Sequence, residues 1–334
     1  MDYLTIEQQS HHLLKVSRTF ALTIPVLPKK LADWVGNAYL LCRIADTIED
    51  DPKLDNELKK SYLLKFTKSL ENKNDDYHWL EDLCNLISDS AKPDELALMK
   101  DIPLVLGRFF SYGENIQEIL KHGVSIMCEG MAQFDRWKNI KNLDNVDHYC
   151  YSVAGVVGEI LVKLFAEYSS IIKSRLDKLL PLSVCFGEAL QLTNILKDFK
   201  EDASRGVCWL PLKSDSNSID NDIKKYVEIA YGHALQALDF ILLIPRREKG
   251  IRLFCLWANA MAVLTLKNIY LKSNFNTAQE IKISRSDVKK VVIQTRFLVY
   301  SNLALKLLFE KYANKQLKAI LREPSELRNK VTHW

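Results

Sequence analysis

Glycine and proline are scarce, with eleven and nine in 334 residues, below their average usage. Long stretches therefore run without a backbone breaker. That argues against a turn-rich β fold and for an all-α chain. Cysteine occurs seven times with no C-x-x-C pair. An odd count without that spacing offers neither a disulfide framework nor a zinc ribbon. Most of these residues sit inside apolar helical patterns, so buried free thiols in a reducing, cytoplasmic setting are expected. No G-x-G occurs, so the dinucleotide fingerprint of a Rossmann fold is missing. No uninterrupted apolar run reaches about 18 residues, and no transmembrane anchor is expected. The opening MDYLTIEQQSHH has no apolar core for a secretory signal. The formal charge is only +4, and no basic stripe with interleaved aromatics appears. Nucleic acid is thereby excluded as a partner.

What is present is a pair of unusual acidic turns. In QLTNILKDFKED (191–202), Cys185, Ala189, Leu192, Leu196 and Phe199 step by four and three and form a core stripe. Gln191, Asn194, Asp198 and Asp202 form a second, wholly polar stripe on the same helix. Asp198 and Asp202 lie one turn apart, about 6 Å along the axis. Like charges at that spacing destabilise an isolated helix, so something else must stabilise them. Residues 40–51, LLCRIADTIEDD, repeat the device: Leu40, Leu41, Ile44 and Ile48 on one side, Arg43, Asp46 and Asp50 on the other, with Glu49 alongside. One such turn reads most simply as a solvated acidic face. Two, each on an otherwise buried helix, point to carboxylate pairs facing each other across a cavity. Mg²⁺ favours carboxylate, water and phosphate oxygen, and the implied ligand is a diphosphate neutralised as a leaving group.

The pattern predicts helices over 4–16, 29–50 and 54–70, then a polar connection at 71–79. About three helices follow over 80–135. A continuous helix is expected over 143–168, in which Ala154, Gly155 and Gly158 let another helix or a ligand chain approach closely. Tyr149 and Tyr151 in that stretch read either as site residues or as core phenols with bonded hydroxyls. Arg18, in the buried-looking loop at 17–20, suits either a phosphate contact or a surface salt bridge. Arg205, directly after the second acidic turn, would reach the same diphosphate. Helices are expected over 217–246 and 249–272, then a loop at 274–286 carrying Lys282 and Arg285, then two final helices ending by about 322. No repeat or domain boundary interrupts 1–334, which reads as one domain.

These segments resemble the squalene/phytoene synthase family, the head-to-head prenyl transferases. SRTFAL (17–22), YLLCRIADTIEDD (39–51), YCYSVAGVVGEIL (149–161), QLTNILKDFKED (191–202) and RGVCWLP (205–211) match in order. The resemblance implies an isoprenoid-synthase helical fold around a central cavity, with an aspartate-rich helix on each side of its mouth. It implies Mg²⁺ held by Asp46, Asp50, Asp198 and Asp202, helped by Glu49 and Asn194. Ser17, Arg18, Tyr39, Arg43 and Gln191 would line the diphosphate and prenyl sites. Phe20, Tyr149 and Tyr151 would stabilise cations through their ring faces, with Tyr149 the candidate for proton handling.

DTIEDD (46–51), FCLWANAMAVLTL (254–266) and KISR (282–285) are closest to the squalene-forming subgroup, in which the basic KISR segment, here Lys282 and Arg285, is linked to NADPH. The implied reaction joins two farnesyl diphosphates through presqualene diphosphate, followed by reduction to squalene. Dehydrosqualene or phytoene formation without NADPH is the alternative, as is a non-catalytic prenyl-diphosphate binder. Departures are Lys197 where the family usually has Arg, Val207 where many bacterial members have a second Arg, and Ala258 in place of proline. Apolar substrate and product imply peripheral contact with a membrane, through a patch near the cavity mouth.

Overall fold

The computed structural model describes residues 2–17, 19–74, 76–133, 140–204, 206–212 and 216–329, with backbone alone at 216–218. Arg18 and Arg205 lie outside the described residues. Among those described there are helices and no strand. The N-terminal helix Ile6–Val16 starts at Thr5, whose hydroxyl accepts from the Gln8 amide while Gln8 reciprocates. It packs on Lys29–Asp50, the first acidic helix. Asn56–Ser69, capped by Asp55, follows.

The next stretch holds four helices where three were expected: His78–Ile87, Pro93–Lys100, Ile102–Phe110 and Glu114–Met131. Pro103 has no N–H to continue the ladder, so the chain breaks at Asp101 and restarts. The Asp101 carboxylate bonds His12 Nε2 at 2.8 Å, which ties that break to the N-terminal helix.

The expected helix over 143–168 is interrupted. Leu143–Cys150 and Val156–Tyr168 are joined by a π-helical turn, Tyr151–Gly155. Such single turns add a residue to the helix and shift the register of every residue beyond them. Against them lies the second acidic helix, Leu176–Ser204. Here the small residues act as expected. A Cβ on Gly158 would stand 1.9 Å from the Ser183 carbonyl oxygen, and one on Gly187 would stand 2.0 Å from that of Ala154. The two backbones touch, and no larger residue fits between them.

Ser216–Leu243 and Lys249–Leu271 complete the central layer. A short Ala278–Ile281 helix lies within the expected loop, and Arg285–Leu298, Asn302–Ala313 and Pro324–Arg328 end the described chain. The buried apolar side chains form one continuous core, with a satellite of Tyr151, Val184, Cys185 and Leu327. Six of the seven cysteines are buried and all are free; Cys208 alone is exposed.

Three helical stretches, Leu143–Tyr168, Leu176–Ser204 and Lys249–Leu271, are long and apolar enough to cross a membrane by length and composition. Scattered charges break each one, so none carries the uninterrupted apolar run that marks a span in sequence. Their apolar windows are 83%, 67% and 72% buried inside the fold, so here that surface packs the protein's own centre.

Gly158→Ala and Gly187→Ala are each expected to cost about 3 kcal/mol through overpacking, read as a lower urea midpoint. Gly113→Ala, whose added Cβ meets nothing within 4 Å, is the control and should leave the midpoint nearly unchanged.

Candidate active site

The crossing of the two acidic helices with the π-turn segment encloses a cavity of about 560 Å³. Both acidic turns line it: Arg43, Asp46, Glu49 and Asp50 from one helix, Gln191, Asn194, Lys197, Asp198, Glu201 and Asp202 from the other. Among the described lining residues, six carboxylates therefore face two cations. The remaining wall is apolar and aromatic, with Phe20, Met127, Met131, Val153, Val157, Phe186, Leu190, Trp209 and Phe254.

The acids titrate accordingly. Burial pushes Asp46 up to about 7, opposed by Arg43 and reinforced by Asp50 and Glu95. Burial, then Asp50 and Asp46, hold Glu49 well above the usual carboxylate range, with Lys59 opposing. Glu49 Oε1 is buried without a hydrogen-bond partner. Asp198 is raised by burial and by Asp202, although Lys197 Nζ lies 3.1 Å from it. The Arg43 guanidinium bonds the Glu95 carboxylate and stands 3.8 Å from Asp46. It is thus committed to protein carboxylates, a partnership that sequence spacing does not reveal.

Among the described residues no group of three His, Cys, Asp or Glu stands close enough to hold a metal ion by itself. The expected ligand set, Asp46, Glu49, Asp50, Asn194, Asp198 and Asp202, is thus not a ready-made cage. It does fit Mg²⁺ of the kind that takes one or two carboxylates and completes its octahedron with water and phosphate oxygen. Mutually raised carboxylates and the orphaned Glu49 oxygen are the observations that carry that fit.

Tyr149 lines the cavity and stacks on Trp209, centroids 4.0 Å apart and rings 12° from parallel. Burial and then the charges of Glu49 and Asp50 push its phenol well above its ordinary value. Phe20 packs on Tyr39, centroids 5.0 Å apart, and on Phe254 at 6.3 Å.

Three other placements depart from expectation. Tyr151 faces away from the cavity: its buried hydroxyl donates to Glu159 Oε1 at 3.1 Å, and Arg328 Nε donates to the same oxygen at 2.9 Å. Ser17 does not line the cavity either; its hydroxyl accepts the Phe20 amide at 3.0 Å and so positions that ring. Lys282 and Arg285 are exposed on either side of Ser284 and do not line the cavity. Their segment flanks the second acidic helix, where Phe275 packs edge-on to Phe199 at 5.4 Å.

Sequence reasoning missed Trp209, Met127, Met131, Phe186 and Phe254. Trp209 had a usable signal, an aromatic a few residues beyond the second acidic turn. The others follow the same apolar periodicity as core residues and carry no separate mark.

This chain belongs to the squalene/phytoene synthase family, whose family model matches residues 13–287. It is 26% identical over 304 residues to the squalene synthase of Cyberlindnera jadinii, covering 84% of this chain and 65% of that one. It is 30% identical over 306 residues to squalene synthase 1 of Panax ginseng, covering 85% and 68%. The chain thus spans just under two thirds of the yeast relative's length. Among solved structures, TcSQS bound to the ligand BPH1237 superposes with a TM-score of 0.76 at 22% identity, over 96% of both chains. A dehydrosqualene synthase in complex with a ligand gives 0.60 at 19% identity, over 88% of this chain and 95% of that one. These likenesses establish the all-α isoprenoid-synthase fold.

Arg43→Ala should destabilise the protein by about 2 kcal/mol, because it strands Glu95 and Asp46 in a partly desolvated wall. Adding Glu95→Gln should recover part of that loss. Additive losses in a thermal double-mutant cycle would refute the coupling.

Proposed function

We propose that this protein is a prenyl transferase of the squalene-forming type, joining two molecules of farnesyl diphosphate head to head into presqualene diphosphate. The single observation that carries this reading is the lining of one cavity by two opposed aspartate turns and an otherwise apolar wall. That combination suits an amphiphile with an anionic diphosphate head and a long hydrocarbon tail. Mg²⁺ held there with Asp46, Asp50, Asp198 and Asp202 would supply Lewis-acid neutralisation of the departing diphosphate.

The chain's own residues do the rest. Glu49 and Asn194 extend the acceptor set at the mouth. Met127, Met131, Phe186 and Leu190 hold the tails and keep water from the allylic cation. Phe20, Tyr39, Trp209 and Phe254 present ring faces to positive charge. The double bond of the second substrate attacks C1 of the first, diphosphate leaves, and one proton is lost to close the cyclopropane. Tyr149 keeps its own proton throughout and donates a hydrogen bond, which leaves the departing diphosphate as the acceptor. Lys197 adds a point charge beside Asp198 where a guanidinium would have made a two-pronged contact.

The test is incubation of the purified protein with farnesyl diphosphate and Mg²⁺, with and without NADPH, and identification of the lipid formed. Presqualene diphosphate without the reductant and squalene with it are expected. Dehydrosqualene under both conditions would favour the carotenoid-type reading, and exclusive use of geranylgeranyl diphosphate would make it a phytoene synthase. Binding of both substrates without turnover would mark a non-catalytic binder. Asp46→Asn and Asp198→Asn should each lower Mg²⁺-dependent turnover by orders of magnitude with an unchanged circular dichroism spectrum. Lys282→Ala and Arg285→Ala, both outside the cavity, should slow the NADPH-dependent second step and spare formation of presqualene diphosphate.

A further inference from the structure

The helices Arg285–Leu298 and Asn302–Ala313 form a hairpin. Its inner face is ordinary core: Val291, Thr295, Leu305 and Phe309 are buried, and the Thr295 hydroxyl accepts from the indole N–H of Trp257 on Lys249–Leu271. Its outer face is not an ordinary surface. Ile293, Phe297 and Tyr300 are 55%, 80% and 53% exposed, and Leu303 and Leu307 are 70% and 57% exposed. These residues step by four, three, three and four, so they form a stripe that runs down one helix and back along the next. Scattered exposed leucines need no explanation, but an exposed stripe with an almost bare phenylalanine at its centre does.

The charges on the hairpin itself are of nearly one sign, with Lys306 alone reaching an acid on a neighbouring helix, Asp239 at 3.5 Å. Residues 285–313 contain six cationic residues, Arg285, Lys289, Lys290, Arg296, Lys306 and Lys311, and only two acids, Asp287 and Glu310. All six cations are exposed. Asp287 is taken up in capping the first helix through Ser284. A second copy of this face would bring like charges together, so self-association is disfavoured. An anionic bilayer matches both features at once: apolar side chains enter the acyl boundary while lysine and arginine extend to the headgroups.

We propose that this hairpin is a membrane-docking surface that seats on anionic lipid through Ile293, Phe297, Tyr300, Leu303 and Leu307. None of the five lines the cavity, so docking occurs on a face separate from the expected one at the cavity mouth. The proposal stands whatever reaction the cavity performs.

The test is co-sedimentation of the whole protein with vesicles of phosphatidylcholine alone and with part of it replaced by phosphatidylglycerol. Binding to the anionic vesicles and release at high salt are expected. Phe297→Ser with Leu303→Ser should lower the partition coefficient about tenfold, and Lys289→Glu with Lys290→Glu should abolish the preference for anionic lipid. All four positions are exposed, so circular dichroism should be unchanged. As a direct readout, Phe297→Trp should add an emission component that shifts to the blue on anionic vesicles only.

Absence of anionic vesicle binding, or binding unaffected by the paired serine substitutions, would overturn the proposal. So would dimerisation that those substitutions abolish, in a protein that ignores vesicles; the face would then be a contact between copies. Binding to polyglutamate as tight as to vesicles, and insensitive to the serine substitutions, would make it an acidic-polymer site instead.

Discussion

The site depends on one contact between backbones. Where Gly158 meets the Ser183 carbonyl and Gly187 meets that of Ala154, two helices approach closer than any side chain allows. This crossing fixes the second acidic helix against the segment that carries Tyr149, and so sets the width of the cavity between them. Close packing transmits such a constraint, because interiors have almost no slack to absorb a displaced helix. The π-turn lies at the crossing itself, with Ala154 and Gly155 inside it. Residues before, within and after the turn, Tyr149, Val153 and Val157, consequently all reach the cavity, while Tyr151 turns to the opposite side and bonds Glu159.

Rigidity has an electrostatic consequence. A flexible acidic surface relieves repulsion by moving apart, but carboxylates on two pinned helices cannot. Asp46, Glu49 and Asp198 all lie above their ordinary range because burial, and then the charge of neighbouring carboxylates, disfavours ionisation. The wall is therefore strained in the absence of positive charge and relaxes when a cation arrives with its anion. Arg43 and Lys197 prevent the strain from becoming severe, yet each is already engaged by protein acceptors.

Much of this was legible in the sequence, for definite reasons. Periodicity places residues on faces, so the acidic stripes at 43–50 and 191–202 and the breaker-poor helices could be read directly. Short-range chemistry was legible too: the small residues at 154–158 do mark a close approach. The hidden features depend on pairing between distant segments. Glu95 as the partner of Arg43, and Trp209 as the stack on Tyr149, arise from packing that local spacing does not encode. Tyr151 shows the same limit: i, i+2 spacing from Tyr149 cannot say which tyrosine faces the cavity when a π-turn falls between the two helices. Lys282 and Arg285 were assigned by resemblance of a short basic segment, and both lie exposed outside the cavity lining.

The segment beyond the family-matched span completes this wall from behind. Arg322 donates to Asp147 Oδ2 at 2.5 Å, and Arg328 reaches Glu159. Both carboxylates are fully buried, and both belong to the helical segment that lines the cavity with Tyr149 and Gly158. Burial still raises Asp147 to about 6 even with Arg322 beside it, so without that guanidinium the acid would have to be neutral. Between the two arginines, Leu327 fills the satellite core against Tyr151 and Val184. The same strap is anchored elsewhere: the Ile320 amide donates to the Glu228 carbonyl at 3.0 Å, and Gln236 Nε2 to that of Arg322 at 2.6 Å. Breaking a buried pair by removing one partner costs more than the pair contributes, because the other charge stays behind. The carboxylates at 147 and 159 and the arginines at 322 and 328 therefore depend on each other. The part of the chain that carries the chemistry and the part that closes over its back form one folding problem.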